Sequence, residues 1–227
     1  MSEHADLDTE FLPILAKCQA ATMTSVERLY ALYKAVEYLS AAQIEGSFVE
    51  CGVWRGGSIM CATLSLQRAG DTSRSIYLYD TFEGMVPPEE VDVDLSGQPA
   101  SVQLAAEQRN KDSYIWAYSP LEAVRANVES TGYPSSRVHY VKGPVEDTIP
   151  ATIPDAIALL RLDTDWYSST YHELHHLFPR LVKGGVLIID DYGHWQGARR
   201  AVDEYFGASE VKILLNRIDY TGRIAVR

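Results

Sequence analysis

The sequence has few cysteines, few basic residues and no long apolar run, and each shortage argues against a class of protein. Three cysteines at no metal-binding spacing favour a reducing cytoplasm and small buried thiols without a chemical role: Cys18, Cys51 and Cys61. A formal net charge of -11 argues against a nucleic-acid partner, because phosphate binding needs a basic patch. No apolar run approaches the roughly 18 residues of a membrane span. The acidic start MSEHADLDTE is unlike a signal peptide.

The hydrophobic pattern predicts one α/β domain. Of 227 residues, 46% are hydrophobic, which is enough for one full core, and no shift in composition marks a second domain. Apolar runs predict seven strands, near residues 48, 77, 140, 160, 187, 213 and 224. Helical patterns stand between the first five strands and at 7–16, 26–44 and 196–206. We therefore expect a mostly parallel, doubly wound sheet with an antiparallel C-terminal hairpin at 46–227, preceded by an N-terminal helical extension at 1–45.

A glycine-rich turn between the first two strands predicts a cofactor site. Strand 46–51 enters GVWRGGS, helix 58–69 follows, and strand 75–80 ends in an aspartate. The turn matches neither G-x-G-x-x-G nor a P-loop, but it allows close backbone approach at a helix N-terminus that favours a carboxylate. Glu50 could hold a cationic amine there, and Asp80 could accept hydrogen bonds from two ribose hydroxyls. S-adenosylmethionine has these groups and no pyrophosphate; a dinucleotide, or no cofactor, is the alternative.

Acidic residues follow the fourth and fifth strands. The apolar runs 157–162 and 185–189 end in four aspartates: Asp163, Asp165, Asp190 and Asp191. A helix-length segment joins the runs, so a right-handed crossover makes the strands parallel and brings both carboxyl ends to one edge of the sheet. Carboxylates about 4 Å apart repel by roughly 4 kcal/mol at an effective dielectric near 20. The sequence therefore predicts a divalent-cation site, Mg²⁺ before Mn²⁺ or Ca²⁺, with separate solvated carboxylates as the alternative.

Two further stretches need an interpretation. Residues 82–113 lose all periodicity and contain VPPEEVDVDLSGQPASVQ, which predicts a lid over the site at about 83–115 or, alternatively, a disordered surface insertion. His172 to His176 matches the zinc-protease pattern H-E-x-x-H. That helix must pack on the sheet, however, and no histidine or glutamate follows at the usual distance along the sequence to serve as a third zinc ligand. We expect surface histidines there, with His172, near the helix start, a candidate to face the crevice.

Four blocks of the sequence together resemble the macrocin O-methyltransferase (TylF) family: FVECGVWRGGS, IYLYDTFEGM, LLRLDTDWYSSTYHELHHLFPRL and GGVLIIDDYGHWQGARRAVDEYF. The resemblance spans roughly residues 22–206. It implies a Rossmann-like class I methyltransferase with added N-terminal helices and a lid, usually in dimers or higher homo-oligomers. It also implies an S-adenosylmethionine- and Mg²⁺-dependent enzyme that methylates a sugar hydroxyl of a glycosylated natural product, such as a macrolide or aminocoumarin antibiotic.

The resemblance also implies roles for individual residues. The family's metal-binding aspartates correspond to Asp163, Asp190 and Asp191. Asp165 corresponds to the proposed general base, and His172 is the second catalytic candidate. The cofactor-binding set corresponds to Thr24, Glu50, Gly52, Trp54, Gly56, Ser58, Asp80, Glu146 and Asp163.

The implied reaction requires that a sugar hydroxyl lose its proton. A sugar hydroxyl is a very weak acid, so a bound cation would have to lower its pKa before Asp165 could remove the proton. If Asp165 is not the general base, His172 or Tyr167 is the alternative. Two other classes stay open: a metal-dependent methyltransferase of catechols or phenols, and a protein that binds the cofactor without turning it over.

Overall fold

A computed structural model describes residues 6–110 and 112–227, so residues 1–5 of the predicted extension and residue 111 of the predicted lid lie outside the described residues. Seven strands form one sheet in the order β3-β2-β1-β4-β5-β7-β6. The strands are β1 Ser47–Cys51, β2 Ile76–Asp80, β3 Val138–Lys142, β4 Ile157–Leu162, β5 Leu181–Ile189, β6 Asn216–Arg217 and β7 Arg223–Val226. The first five are parallel and β7 is antiparallel to both neighbours, so the predicted doubly wound sheet with a closing hairpin is confirmed.

Helices cover both faces of the sheet. They are α1 Leu12–Cys18, α2 Val26–Ala41, α3 Gly57–Arg68, α4 Ala100–Ala106, α5 Leu121–Glu129, α6 Val145–Thr148, α7 Tyr167–Leu177 and α8 Gln196–Ala208. The start of α2 is fixed by Ser25, whose hydroxyl accepts a hydrogen bond from Arg28 N at 3.2 Å. No helix in the described ranges combines the length and the apolar character that a membrane crossing needs.

The N-terminal helices and the sheet share one hydrophobic core. Phe11, which caps the start of α1, and Leu39 of α2 belong to the same buried cluster as Phe48 of β1 and Val186 of β5. A second cluster fills the other face, between the sheet and helices α7 and α8. The division at residue 45 therefore stays a prediction about the order of elements along the chain, since the two parts bury their apolar surface together.

One predicted strand is much shorter in the structure than the apolar pattern suggests. The pattern favoured a strand around residue 213, but β6 contains only Asn216 and Arg217. These two residues pair with β7, whereas Leu214 is 75% exposed. Strand β7 is only four residues long and bonds β5 along its other edge, so it offers little edge for a longer partner.

The predicted lid contains a helix and is anchored at one end. Helix α4 lies within it, and Ala100 and Leu104 pack with Trp166 and Trp195 in a small apolar cluster. Asp92 is fully buried, and its carboxylate accepts hydrogen bonds from the backbone N–H of Tyr167 at 2.8 Å and of Glu89 at 2.7 Å. This segment thus supplies a cap for the N-terminus of α7. Its movement as a lid stays a prediction.

Candidate active site

A pocket of about 550 Å³ opens at the carboxyl ends of the parallel strands. This is the edge at which open α/β sheets bind ligands. The lining includes ten of the residues singled out from the sequence: Thr24, Gly52, Trp54, Ser58, Asp80, Glu146, Asp163, Asp165, Asp190 and Asp191. Three others are not in the lining: Glu50, Gly56 and His172. The structure therefore brings most of the predicted site together in one pocket.

One side of the pocket is built around Asp80 and the glycine-rich turn. The Asp80 carboxylate accepts hydrogen bonds from the backbone N–H of Val53 at 2.7 Å, of Trp54 at 3.1 Å and of Phe82 at 2.6 Å. Burial raises the pKa of Asp80, and these N–H groups oppose the rise. Asp80 thus holds the turn in shape and also lines the pocket, where it can face a bound ligand.

Gly52 lies where the two strand tips β1 and β4 nearly touch. Its φ is +80°, and a Cβ added there would stand 1.9 Å from the carbonyl oxygen of Asp163. Only glycine fits such a conformation and such an approach. Gly56 has a different function: with φ +88° it stands immediately before α3, and its side is turned toward Val128 rather than the pocket.

Glu50 lies beneath the pocket floor, which corrects its predicted role as holder of a cofactor amine. It is 3% exposed, and Oε1 accepts a hydrogen bond from Arg161 at 2.8 Å. The two residues are register partners on adjacent strands, so the pair is built into the sheet. Burial, only partly offset by Arg161, raises the pKa of Glu50 to about 8.

The other side of the pocket holds three carboxyl groups close together. Oxygen atoms of Asp163, Asp165 and Asp191 all lie within 4.8 Å of one another. Burial raises the pKa of Asp165, and the charge of Asp163 adds to the rise; burial and the charge of Asp165 act on the pKa of Asp191 in the same way. We call Asp163, Asp165 and Asp191 the carboxylate triad. Hard divalent cations prefer such all-oxygen donor sets, so the triad could hold one.

Asp190 lines the same pocket, and two arginines contact its carboxylate. Arg161 donates to its Oδ1 at 2.7 Å, and Arg28 forms an ion pair with its Oδ2. Arg161 also contacts Asp163 at 2.7 Å, and Arg28 also contacts Asp219 at 3.0 Å. Where the sequence predicted Asp190 as a metal ligand, the structure places Asp165 beside Asp163 and Asp191 instead. The reason is that both guanidinium groups approach Asp190, whose backbone N–H is fixed by Leu162 of the neighbouring strand.

His172 lies away from the pocket, which corrects its place among the catalytic candidates. Its Nε2 is 2.9 Å from the carbonyl oxygen of Ile149, and its ring packs against His176 with centroids 4.5 Å apart. Within the described ranges, the only group of three or more acidic, histidine or cysteine side chains that converges on a point is the carboxylate triad. Among the described residues, the histidines of the H-E-x-x-H match form no such group of three converging ligand atoms.

The sequence analysis overlooked several residues that line or support the pocket. Arg161 and Arg28 are the most important, and a signal for Arg161 existed: it is a lone charge in the apolar run IALLRL, as Glu50 is in SFVEC. The turn between β6 and β7 also reaches the pocket with Tyr220 and Thr221. Tyr220 Oη lies 3.4 Å from Nδ1 of His194, another lining residue. No periodicity places that turn beside β5, so only the fold reveals it.

Comparison with known proteins gives a consistent result. The family model described as Macrocin-O-methyltransferase (TylF) matches residues 12–226. In Streptomyces olivaceus, 8-demethyl-8-(2,3-dimethoxy-alpha-L-rhamnosyl)-tetracenomycin-C 4'-O-methyltransferase is 38% identical over 203 residues, which cover 89% of this chain and 74% of that protein. In Streptomyces niveus, demethyldecarbamoylnovobiocin O-methyltransferase is 32% identical with the same coverage of both. The solved structure of the O-methyltransferase NovP superposes with a TM-score of 0.76 at 32% identity, covering 91% of this chain and 82% of that chain. The chain therefore belongs to the macrocin O-methyltransferase family and is an S-adenosylmethionine-dependent O-methyltransferase.

Proposed function

We propose that this enzyme transfers the methyl group of S-adenosylmethionine to a sugar hydroxyl of a glycosylated natural product, with the help of a divalent cation such as Mg²⁺. The observation that carries the proposal is the joining of two sites in one pocket: the turn at Gly52 with Asp80, and the carboxylate triad. The relative from Streptomyces olivaceus supports the substrate class, because its name gives a rhamnosyl group as the part that is methylated.

The donor set of the triad supports the cation. Three carboxyl oxygens converge within 4.8 Å, and among the described residues only Asp163 of the three forms an ion pair, with Arg161. Burial raises the pKa values of Asp165 and Asp191, and their close charged neighbours, each other's carboxylate or that of Asp163, add to the rise. Asp163, Asp165 and Asp191 would hold the cation, and Asp190 would stabilise the floor through its arginines.

The residues on the opposite side fit the methyl donor. Asp80 and Ser58 both line the pocket next to the glycine-rich turn, which is the position predicted for a nucleoside and an amino-acid head group. Gly52 also lines the pocket, and its lack of a side chain lets the turn lie directly against the Asp163 carbonyl oxygen. Thr24 and Glu146 line the same pocket. With Glu50 beneath the floor, the amine of the donor would rely on other polar groups that line the pocket.

The work of the protein residues in the reaction is alignment and proton removal. A divalent cation held by the triad would supply Lewis acidity that lowers the pKa of a sugar hydroxyl. Asp165 accepts the proton at a carboxylate oxygen, and the side chain of Trp195 contacts that carboxyl group and orients it. The methyl donor is already activated, so holding the acceptor oxygen in line with the methyl carbon supplies most of the remaining acceleration.

The substrate class is tested with purified enzyme and S-adenosylmethionine against two acceptor sets: rhamnosylated polyketides that lack the sugar methyl groups, and simple catechols. We expect methylation of the glycosides and its loss in EDTA, with recovery on adding Mg²⁺. Turnover of catechols alone would replace the sugar proposal by the catechol alternative. Full turnover in EDTA would remove the cation from the proposal.

The triad is tested by Asp163→Asn. We expect turnover to fall at least about 100-fold, because a metal ligand is lost, while the affinity for S-adenosylmethionine stays within a few-fold. Asp155→Asn, a change at a fully exposed carboxylate, is the control and should leave both quantities unchanged. Asp165→Asn then separates the two roles of that residue: loss of rate at unchanged Mn²⁺ affinity identifies a base, and loss of Mn²⁺ affinity identifies a ligand.

Two properties from the sequence stay predictions. We propose a homo-oligomer, to be checked by light scattering, and a cytoplasmic location. The location is supported by the three cysteines, which are buried and form no disulfide among the described residues.

A further inference from the structure

Glu173 is a buried acid that the proposed reaction does not use. It lies on α7 with no exposed surface, and none of the ion pairs among the described residues includes it. Its Oε1 accepts a hydrogen bond from the Thr164 hydroxyl at 2.9 Å, and its Oε2 has no hydrogen-bond partner. Burying a carboxyl group without full hydrogen bonding is unfavourable, so a glutamate at this position suggests a function for its side chain.

The group that Glu173 holds is the centre of the turn between two triad residues. Thr164 lies between Asp163 and Asp165 and is itself in the pocket lining. Asp165 adopts φ +67°, in the left-handed region that non-glycine residues rarely occupy. The turn is closed by a hydrogen bond from Trp166 N to the Thr164 carbonyl oxygen at 2.8 Å. A backbone in this conformation persists only where its surroundings hold it, and the bond from Thr164 to Glu173 is one of these restraints.

Glu173 also contacts the strand that leads to the cofactor turn. Its carboxyl group interacts with the thiol of Cys51, the last residue of β1. Gly52 follows directly and lies against the Asp163 carbonyl. From one position on α7, Glu173 therefore bonds the turn after β4 and lies near the end of β1, where the two sides of the pocket meet.

We infer that Glu173 is a positioning residue: through Thr164 it fixes the turn that brings Asp163 and Asp165 to the same point, so that the triad is preformed for a cation. This inference rests on the proposed function, because it needs the triad to be a cation site. It assigns Glu173 a role other than that of the glutamate in a zinc-protease helix, since it is turned to the interior, while His172 contacts Ile149.

The inference is tested by Mn²⁺ binding, measured by calorimetry and electron paramagnetic resonance without any acceptor. Glu173→Leu removes the acceptor of the Thr164 hydroxyl, and we expect Mn²⁺ affinity to fall at least about 10-fold, while S-adenosylmethionine affinity stays within about 3-fold. Glu173→Gln keeps an amide oxygen at the same place, so Mn²⁺ affinity should stay within about 3-fold of the unchanged protein. Thr164→Val removes the other partner and should reproduce the loss, and the double variant Thr164→Val with Glu173→Leu should lose no more than either change alone.

Leu174→Val, a change at a fully buried neighbour on the same helix, controls for general loosening of α7. A Glu173→Leu protein that binds Mn²⁺ as tightly as the unchanged chain would overturn the inference. So would an equal loss of affinity in Leu174→Val. If the unchanged chain binds no Mn²⁺ at all, the proposed cation site fails and the inference fails with it; that result is distinct, because every variant then behaves alike. Should Glu173→Leu fail to fold, Thr164→Val and the Gln variant still give opposite predictions for Mn²⁺ affinity.

Discussion

The two sides of the pocket compensate negative charge in different ways. Around Asp80, three backbone N–H groups point at one carboxylate, at 2.6 to 3.1 Å. In the carboxylate triad, three carboxyl groups point at one another within 4.8 Å. The first arrangement is complete with protein atoms alone, because fixed dipoles solvate the charge. The second has an excess of negative charge that the protein does not neutralise.

The arginines beneath the triad reduce this excess without removing it. Two guanidinium groups, those of Arg161 and Arg28, pair with four carboxyl groups, and among the described residues neither Asp165 nor Asp191 is part of an ion pair. The four are Glu50, Asp163, Asp190 and Asp219. At an effective dielectric near 20, two like charges about 4 Å apart repel by roughly 4 kcal/mol, so the unpaired carboxylates favour either a proton or a cation. Asp92 provides the contrast within the chain: two backbone N–H groups donate to its carboxylate, and it is not part of the converging group of carboxyls. Backbone donors therefore mark the acids whose charge the fold itself compensates, and mutual contact marks those that favour a proton or a cation.

The largest expected effect comes from removing the compensation beneath the triad. Arg161→Met deletes the buried guanidinium that contacts Glu50, Asp163 and Asp190. We expect the free energy of unfolding to fall by about 3–5 kcal/mol, because buried carboxylates then lose their counter-ion. Urea unfolding followed by circular dichroism measures the loss.

Arg200→Met is the matched control for Arg161→Met. Arg200 is exposed on α8 and pairs with Glu204 across one helical turn. Surface pairs of this kind contribute little, so the change should stay within about 0.5 kcal/mol. A loss below about 1 kcal/mol for Arg161→Met would show that the floor carboxylates do not depend on this residue for their charge compensation.

The second effect tests the contact that joins the two sides. Gly52→Ala places a Cβ 1.9 Å from the Asp163 carbonyl oxygen, on a backbone with φ +80°. We expect a loss of about 2–4 kcal/mol from the left-handed conformation and the overlap together. Gly70→Ala is the control, because φ is +77° there and no atom lies within 4 Å of the added Cβ. It should lose only about 1–2 kcal/mol. Equal losses in urea unfolding would mean that the strand tips separate at no cost.

The sheet and the edge that carries the pocket were easier to predict from the sequence than the partners of the buried charged residues. Strand periods and the glycine turn placed the sheet and the pocket edge, because alternation and apolar runs depend on local physics. The acids Asp80, Asp163 and Asp191 were placed at that edge for the same reason. Their partners could not be predicted, since an arginine in a buried strand has no preferred direction until neighbouring strands are in register. Arg161 meets Glu50 only through the pairing of β1 with β4.

Three residues have surroundings other than those the sequence predicted, and Glu50, beneath the pocket floor, is the first of them. Asp190 and Asp191 are adjacent in sequence and were given the same role, but the first faces Arg28 and Arg161 and the second faces Asp165. Which way each carboxylate turns depends on α2 and on β4, both distant in the sequence. His172 was a candidate because it stands near the start of α7, yet helix rotation turns it to the Ile149 carbonyl. Glu173, one residue on, turns to the interior instead.

The smallest effect concerns Glu173, whose charge is compensated neither by backbone donors nor by a cation. Burial raises its pKa well above the usual value; the Thr164 hydroxyl and the Cys51 thiol oppose the rise, and the charges of Glu146 and Asp163 add to it. In the unfolded chain a glutamate loses its proton near pH 4.3. Above that pH, and up to its folded-state pKa, the folded protein binds the extra proton, so Glu173 lowers stability progressively as pH rises.

Glu173→Gln removes this titration and keeps the side-chain shape. We expect the variant and the unchanged protein to be about equally stable at pH 4 and the variant to become the more stable one as pH rises toward 8, since all other titrating groups are common to both. Urea unfolding at four pH values measures the difference, and Glu210→Gln, at an exposed glutamate, is the control for replacing a carboxylate by an amide. Parallel stability curves for Glu173→Gln and the unchanged chain would show that Glu173 is ionised without penalty. Another group near Thr164 would then compensate the charge of Glu173, and uncompensated negative charge would be confined to the triad.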